Sequence, residues 1–334
     1  MRALIVGDPH ATLEELDDCR NLVDFVAEVA QQQEVDRIIL LGDLYHTHSV
    51  MRVEVMAFWR HSLGMLAGVC PTIALVGNHD LPGTGGDPYV HALAAHEDQV
   101  EVVDCSTVIN GVLYMPYTHD AQEFINICQK YPTIGTVICH QTFDGSVFEN
   151  GFHAPDGIDP EQIPQKHIIS GHIHAGQSFS KIWYPGAPRW RTLTDANSER
   201  AIWVVEFRDG VPVSKIPYDT GDVCRQIRYS RIDVDTGEVV DGVQPILIDG
   251  RLDPSMSWRI DLHGSGNAVD AAHALYAAPG VRIRTFINDG APVKVRESEG
   301  VQVAFGRYLE AFEARHGTDP AILRKMAQER LQWM

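Results

Sequence analysis

Leu41-Gly42-Asp43-Leu44-Tyr45-His46 and Val76-Gly77-Asn78-His79-Asp80 close the two ends of one stretch, and its reading decides the fold. Each follows a short apolar run, Arg37-Ile38-Ile39-Leu40-Leu41 before the first and Thr72-Ile73-Ala74-Leu75-Val76 before the second. Apolar runs of this length, bounded by turn residues, read as buried strands. Between them Met51–Leu66 has a helical pattern and is apolar nearly all round, which predicts a helix buried on every side or a dimer seam. The unit is strand–loop–helix–strand, a βαβ crossover. It sets Asp, Asn and His at strand ends, the edge where open α/β sheets hold ligands.

Working outward, the same arrangement recurs. Met1–Val6 reads as a strand running into Gly7-Asp8-Pro9-His10, and a helix follows over Leu13–Gln33. Beyond Asp80 the pattern predicts a short helix from Asp87-Pro88 through Ala95. Strands over Val100–Val103 and Thr107–Met115 follow, with Asn110-Gly111 as a hairpin signal. Then come a helix over Ala121–Gln129 and a strand over Gly135–Cys139 ending on His140. Gly145–Pro164 is rich in Gly, Pro and Asp without periodicity and reads as a site loop rather than a linker. His167–Ser170 runs into Gly171-His172-Ile173-His174, and strands over Trp183–Pro188, Ala201–Phe207 and Val211–Tyr218 close this part. From Gly221 the pattern changes to a small βαβ-like unit: Trp258–His263, Asn267–Ala278 and Val281–Ile287. Two terminal helices are predicted, the first with Val301, Phe305, Tyr308, Leu309 and Phe312 at helical spacing. The second starts at Asp319-Pro320 and carries Ile322, Leu323, Met326, Leu331 and Trp333. The organisation expected is 1–220 catalytic, 221–295 a small α/β capping domain, and 296–334 C-terminal helices.

The 334 residues, 44% of them hydrophobic, suffice for a full catalytic domain and a smaller companion. A net charge of −18 argues against a protein that coats nucleic acid through general basicity. Residues 181–231 nevertheless hold nine Lys and Arg against six Asp and Glu, a local basic track. No apolar run approaches the ~20 residues of a membrane span, and the opening strand leaves no room for a signal peptide. Six cysteines without paired spacing read as free thiols of a cytoplasmic protein.

Five loops after apolar strands deliver oxygen or imidazole donors: Asp8-Pro9-His10, Gly42-Asp43, Gly77-Asn78-His79-Asp80, His140 and Gly171-His172-Ile173-His174. A lone histidine such as His61, His96 or His263 is better read as a surface or satisfied core residue. One Gly-Asn-His-Asp by itself is weak; the ordered set at five strand ends is not. Mixed carboxylate, carboxamide and imidazole donors suit manganese, iron or zinc. They are too many for one catalytic ion and suit two ions ~3.5–4 Å apart that share one carboxylate.

This ordered set resembles the calcineurin-like metallophosphoesterases. The resemblance implies an α/β fold: a four-layer α-β-β-α sandwich, two mixed sheets face to face with helices outside. It implies one metal held by Asp8, His10 and His174, a second by Asn78, His140 and His172, and Asp43 bridging both. His79, paired with Asp80, would protonate the leaving oxygen or stabilise the transition state. Manganese is the expected metal, with magnesium, iron or zinc as alternatives.

Within that family, Gly42-Asp43-Leu44-Tyr45-His46 is similar to the second motif of SbcD-type recombination nucleases, phage members included, in which a histidine (here His46) follows the bridging aspartate by three. His140-Gln141-Thr142-Phe143-Asp144-Gly145 and Tyr184-Pro185-Gly186-Ala187-Pro188 look like later motifs of that group. Tyr45 stands where the group often has Phe, and Ala11-Thr12 where it often has Leu-Gly. The resemblance implies a DNA exo- and endonuclease whose C-terminal helices bind an SbcC-type coiled-coil ATPase. It also implies a homodimer through the 51–66 and 87–95 helices. Arg189-Trp190-Arg191 reads either as a surface cluster or as a DNA contact in which Trp190 stacks on a base or sugar. Two other readings stay open: a small-substrate phosphodiesterase with the C-terminal domain as a lid, and a scaffold that keeps a metal site without turnover.

Overall fold

The computed structural model describes residues 1–48, 50–83 and 90–288. The chain begins β1 (Arg2–Val6), α1 (Leu16–Gln32), β2 (Arg37–Leu40), α2 (Val53–Val69), β3 (Thr72–Leu75) and β4 (Glu101–Val103). It continues with β5 (Thr107–Ile109), β6 (Val112–Met115), α3 (Ala121–Lys130), β7 (Thr136–His140), β8 (His167–Gly171), β9 (Gln177–Phe179) and β10 (Ile182–Tyr184). Two long strands follow, β11 (Ala201–Arg208) and β12 (Val211–Asp219).

These strands make two six-stranded mixed sheets, ordered β12-β11-β1-β2-β3-β4 and β5-β6-β7-β8-β10-β9. In the first, β1 to β4 are mutually parallel, β11 is antiparallel to β1 and β12 is antiparallel to β11; in the second, β6, β7, β8 and β10 are parallel. Residue parity sorts the layers, because successive side chains leave a strand on opposite faces. Ala3, Ile5, Ile39, Leu41, Ile73 and Leu75 pack with Val112, Tyr114, Ile138 and Ile169 of the other sheet in one core. Their neighbours Leu4, Val6, Ile38, Leu40 and Ala74 face outward onto α1 and α2. On the second sheet, Leu113, Met115, Val137, Cys139 and Ile168 face α3 through Phe124, Ile125 and Cys128. The inner strands β1 to β3 and β6 to β8 are covered on both faces, which is why they read as unbroken apolar runs, whereas the outlying β5, β9 and β12 bury none of their residues. The result is the four-layer α-β-β-α sandwich.

Several expectations shift. The helix expected from Leu13 opens as a 3₁₀ turn over Leu13–Glu15 before α1. Helix α2 is not buried all round: Val55, Phe58, Trp59, Ser62, Leu63 and Leu66 form one buried stripe, while Val53, Glu54, Ala57, Arg60 and His61 are exposed. The short helix expected up to Ala95 has as its described part a 3₁₀ turn over Ala92–His96. Thr107–Met115 divides into β5 and β6 because Asn110 and Gly111 both take positive φ, 51° and 77°, as a two-residue hairpin turn requires. Helix α3 is capped by Asp120, whose carboxylate accepts from the N–H groups of Gln122 and Glu123.

The described chain divides into two compact units, one of Met1–Tyr229 with Pro254–Ser257, the other of Ser230–Asp253 with the described residues from Trp258. After β13 (Ile227–Asp233), β14 (Glu238–Gly242) and a small hairpin of β15 (Leu247–Ile248) and β16 (Arg251–Leu252) come β17 (Ser257–Gly264), α4 (Gly266–Tyr276) and β18 (Val281–Ile287). The second sheet system has the order β14-β13-β17-β18, and β17 and β18 run parallel across the α4 crossover. The two C-terminal helices expected over 296–334 lie outside the described residues. Among the described residues no helix is long and apolar enough to cross a membrane. All six cysteines are free thiols, four of them buried.

Candidate metal centre

Parallel strands β1, β2, β3, β7 and β8 all deliver their donors just beyond or at their C-terminal ends. The structure brings Asp8, His10, Asp43, Asn78, His140, His172 and His174 together there. His10 Nε2 and His174 Nε2 face each other at 2.8 Å. Asp43 Oδ2 lies 3.4 Å from His10 Nε2 and 3.3 Å from His140 Nε2. Asn78 Oδ1 lies 2.9 Å from His140 Nε2 and 2.7 Å from His172 Nδ1. Asp43 therefore stands between two clusters of donors, as a shared carboxylate must.

The backbone is bent to make this approach. His10, Asp43 and His172 have φ of 45°, 53° and 84°, a region non-glycine residues enter only when the surroundings hold them there. Glycine supplies the close contacts. A Cβ on Gly77 would stand 2.3 Å from Asp43 Oδ1, and one on Gly171 would stand 2.7 Å from Asp8 Oδ1 and from His140 Nδ1.

The donors fit cations. His140 Nδ1 donates to the Leu41 carbonyl at 2.8 Å, so in the neutral ring the lone pair on Nε2 points at the oxygens of Asp43 and Asn78. Lone pair against lone pair is reconciled only by a proton or a cation. Burial works against charge on His140, but Asp43 and Asp8 outweigh it and push its pKa up to about 9. Burial pushes the Asp8 carboxyl up to about 7, and its Oδ1 is buried without a hydrogen-bond partner. Burial, then His140, lowers His172 to about 3, which favours the neutral ring with a lone pair to offer.

His79 sits over this cluster. Its backbone N–H donates to Asp43 Oδ1 at 2.8 Å, and its Nδ1 donates to the His46 carbonyl at 2.6 Å. The rings of His79 and His10 meet edge to face with centroids 4.7 Å apart, and His46 lies parallel to His79 at 5.5 Å. Nitrogens of His10, His46 and His79 converge closely enough to form a possible ligand group.

Asp80 does not pair with His79. Its buried carboxylate accepts from the backbone N–H groups of Asp43, Tyr45 and Gly77 at 2.8, 3.1 and 2.9 Å. It ties the loop after β2 to the loop after β3 and is a positioning residue. The 189–191 cluster is likewise turned inward. Arg189, 1% exposed, donates to the carbonyls of Pro9 and His10 at 2.7 Å each and pairs with Glu15 and Asp18. Trp190 is 4% exposed and donates to the Ser198 carbonyl, so it offers no face to a base. Arg191 pairs with Glu15 and reaches His46 Nδ1 at 3.2 Å. Burial, then Arg191, holds His46 down to about 4.

Three neighbours escaped the sequence reading. His48 stacks on His79 at 4.1 Å. Tyr117 stacks on His172 at 5.8 Å. Glu149, from the 145–164 loop, accepts the Ala175 N–H at 3.0 Å and lies 3.8 Å from His174 Nδ1. The only sequence signals were the His46-x-His48 spacing and a carboxylate inside an already suspect loop. His96 is a buried core histidine outside the centre, its Nε2 2.8 Å from the Tyr45 hydroxyl.

Residues 1–176 match the calcineurin-like phosphoesterase family. The protein named Putative phosphoesterase 244L of Invertebrate iridescent virus 6 is 25% identical over 202 residues, 56% of this chain and 69% of that protein. The protein named Putative phosphoesterase 078R of Invertebrate iridescent virus 3 is 24% identical over 201 residues, 55% of this chain and 56% of its own length. Among solved structures, an archaeal phosphodiesterase aligns over 65% of this chain and all of its own, with 14% identity and a TM-score of 0.34.

Proposed function

This chain belongs to the calcineurin-like phosphoesterase family, and from that premise we propose that it is a divalent-metal phosphodiesterase acting on DNA, the nuclease subunit of an SbcC–SbcD-type complex. The observation that carries the chemistry is the convergence of two donor clusters on Asp43 with His79 seated beside them. Asp8, His10 and His174 would hold one ion, and Asn78, His140 and His172 the other. Manganese is the metal we favour. When bound, two such cations supply an acidified water nucleophile and neutralise the phosphoryl oxygens.

The protein's own groups do the rest. Asp80 and Arg189 fix the loops that carry the donors. The His46 carbonyl fixes the tautomer of His79 and leaves Nε2 as the nitrogen for proton transfer to the leaving oxygen. Support for DNA as substrate comes from the Asp43–His46 spacing and the two later motifs; support for the partner comes from the apolar spacing of residues 301–333.

A small-substrate phosphodiesterase is the second reading. The net charge of −18 and the burial of Arg189 and Arg200 favour it, since phosphate-backbone binding depends on accessible cations. The full chain, supplied with manganese, is expected to hydrolyse bis(p-nitrophenyl) phosphate and to degrade linear duplex DNA, and Asp43→Asn to abolish both. Ester hydrolysis without any action on DNA, alone or with the ATPase, would leave the small-substrate reading. Inactivity on both substrates would leave the metal-binding scaffold.

A further inference from the structure

We infer that the chain carries a second cation site, sharing no residue with the centre above, in which His91, Glu97 and Asp104 hold a divalent ion of the zinc class. Ligand atoms of these residues all lie within 4.8 Å of one another. His91 Nε2 is 3.7 Å from Asp104 Oδ2. That separation is too long for a hydrogen bond. It suits two donors on one ion, which at about 2.1 Å each stand up to ~4.2 Å apart.

Two elements present the three donors from fixed positions. His91 precedes the 3₁₀ turn over Ala92–His96, Glu97 closes that turn, and Asp104 directly follows β4. The turn is anchored by Leu93, fully buried, and by the Ala92 N–H on the Asp80 carbonyl at 2.8 Å. Val103, 2% exposed, anchors the end of β4.

His91 itself points to a ligand. Its side chain is only 1% exposed, yet among the described residues Nδ1 has no hydrogen-bond partner, and Nε2 is aimed at the Asp104 carboxylate beyond hydrogen-bond range. A buried imidazole is rarely left without partners. One imidazole with two carboxylates is a set that zinc or manganese accepts, with water completing the shell. The ion would fasten the 91–104 segment beside the loop that holds Asp80, so its role is structural.

The test counts metal in the full chain. Protein stripped with a chelator and dialysed against zinc chloride is analysed for zinc per chain, for wild type and for His91→Gln, Asp104→Asn and Glu97→Gln. Each variant is expected to hold one zinc fewer than wild type. The same comparison in an Asp43→Asn background removes the principal centre from the count. Cobalt substituted for zinc should lose part of its visible absorption in each variant. Glu97 is exposed, so Glu97→Gln leaves the fold intact even where a change at His91 does not. Undiminished zinc in both Glu97→Gln and Asp104→Asn would overturn the site.

Discussion

One nitrogen of His79 is committed and one is free. Nδ1–H is held by the His46 carbonyl, the ring is backed by His48 at 4.1 Å, and Nε2 is what a leaving oxygen would meet. Burial lowers the pKa of His79, with Asp43 pulling the other way. His79→Ala is therefore expected to retain bound metal and to lose ~10²–10⁴-fold in turnover on DNA, the scale of a positioned proton donor. An aryl phosphodiester, whose leaving group scarcely needs a proton, should lose much less. Steady-state rates on the two substrates, with elemental analysis of the variant, check this; equal losses on both would remove His79 from the leaving-group role.

Between strands, the 145–164 loop brings Glu149 to the edge of the centre. A Val147–His153 bridge and the Phe148 N–H on the Phe152 carbonyl at 2.9 Å make it a tight hairpin with Glu149 near its tip. Glu149 faces Nδ1 of His174, whose Nε2 faces His10, the order in which a carboxylate orients an imidazole ligand. Glu149→Gln is expected to weaken manganese at the Asp8–His10–His174 position by ~10–100-fold, read by titration calorimetry, and Glu149→Asp to restore part of it. Unchanged affinity in Glu149→Gln would reduce the loop to packing. The donors at strand ends were legible in the sequence because strands buried on both faces run apolar without a break and stop sharply at Gly, Asp and His. Glu149 was not, since a loop has no period to read. Adjacent residues also mislead: Asp80 follows His79 in the chain, yet its side chain turns to three backbone N–H groups. Arg189-Trp190-Arg191 reads in the sequence as a surface cluster or a DNA contact, and the structure makes it an internal clamp instead. The Pro9 and His10 carbonyls it holds are distant in sequence.

At the scale of the whole molecule, charge and partner become one question. The net charge is −18, and the basic excess of residues 181–231 includes two arginines, Arg189 and Arg200, that are spent internally. With acidic groups in such excess over basic ones, the chain alone is expected to bind duplex DNA weakly and with a shallow dependence on salt. A partner that brings its own DNA surface removes the difficulty. The sequence of residues 301–333 offers it a handle: apolar positions at helical spacing on two short segments parted by Gly317-Thr318-Asp319-Pro320. Helices that short are marginal in water by themselves, so their apolar faces require a surface, in this chain or another. Deleting residues 300–334 is expected to leave manganese-dependent hydrolysis of bis(p-nitrophenyl) phosphate within about twofold, because the donors come from the β1–β8 strand ends. The same deletion should abolish both co-elution with an SbcC-type ATPase and ATP-stimulated degradation of duplex DNA. A truncated protein that is insoluble, or that has lost the small ester as well, would place those helices in the chain's own core and end the case for docking there.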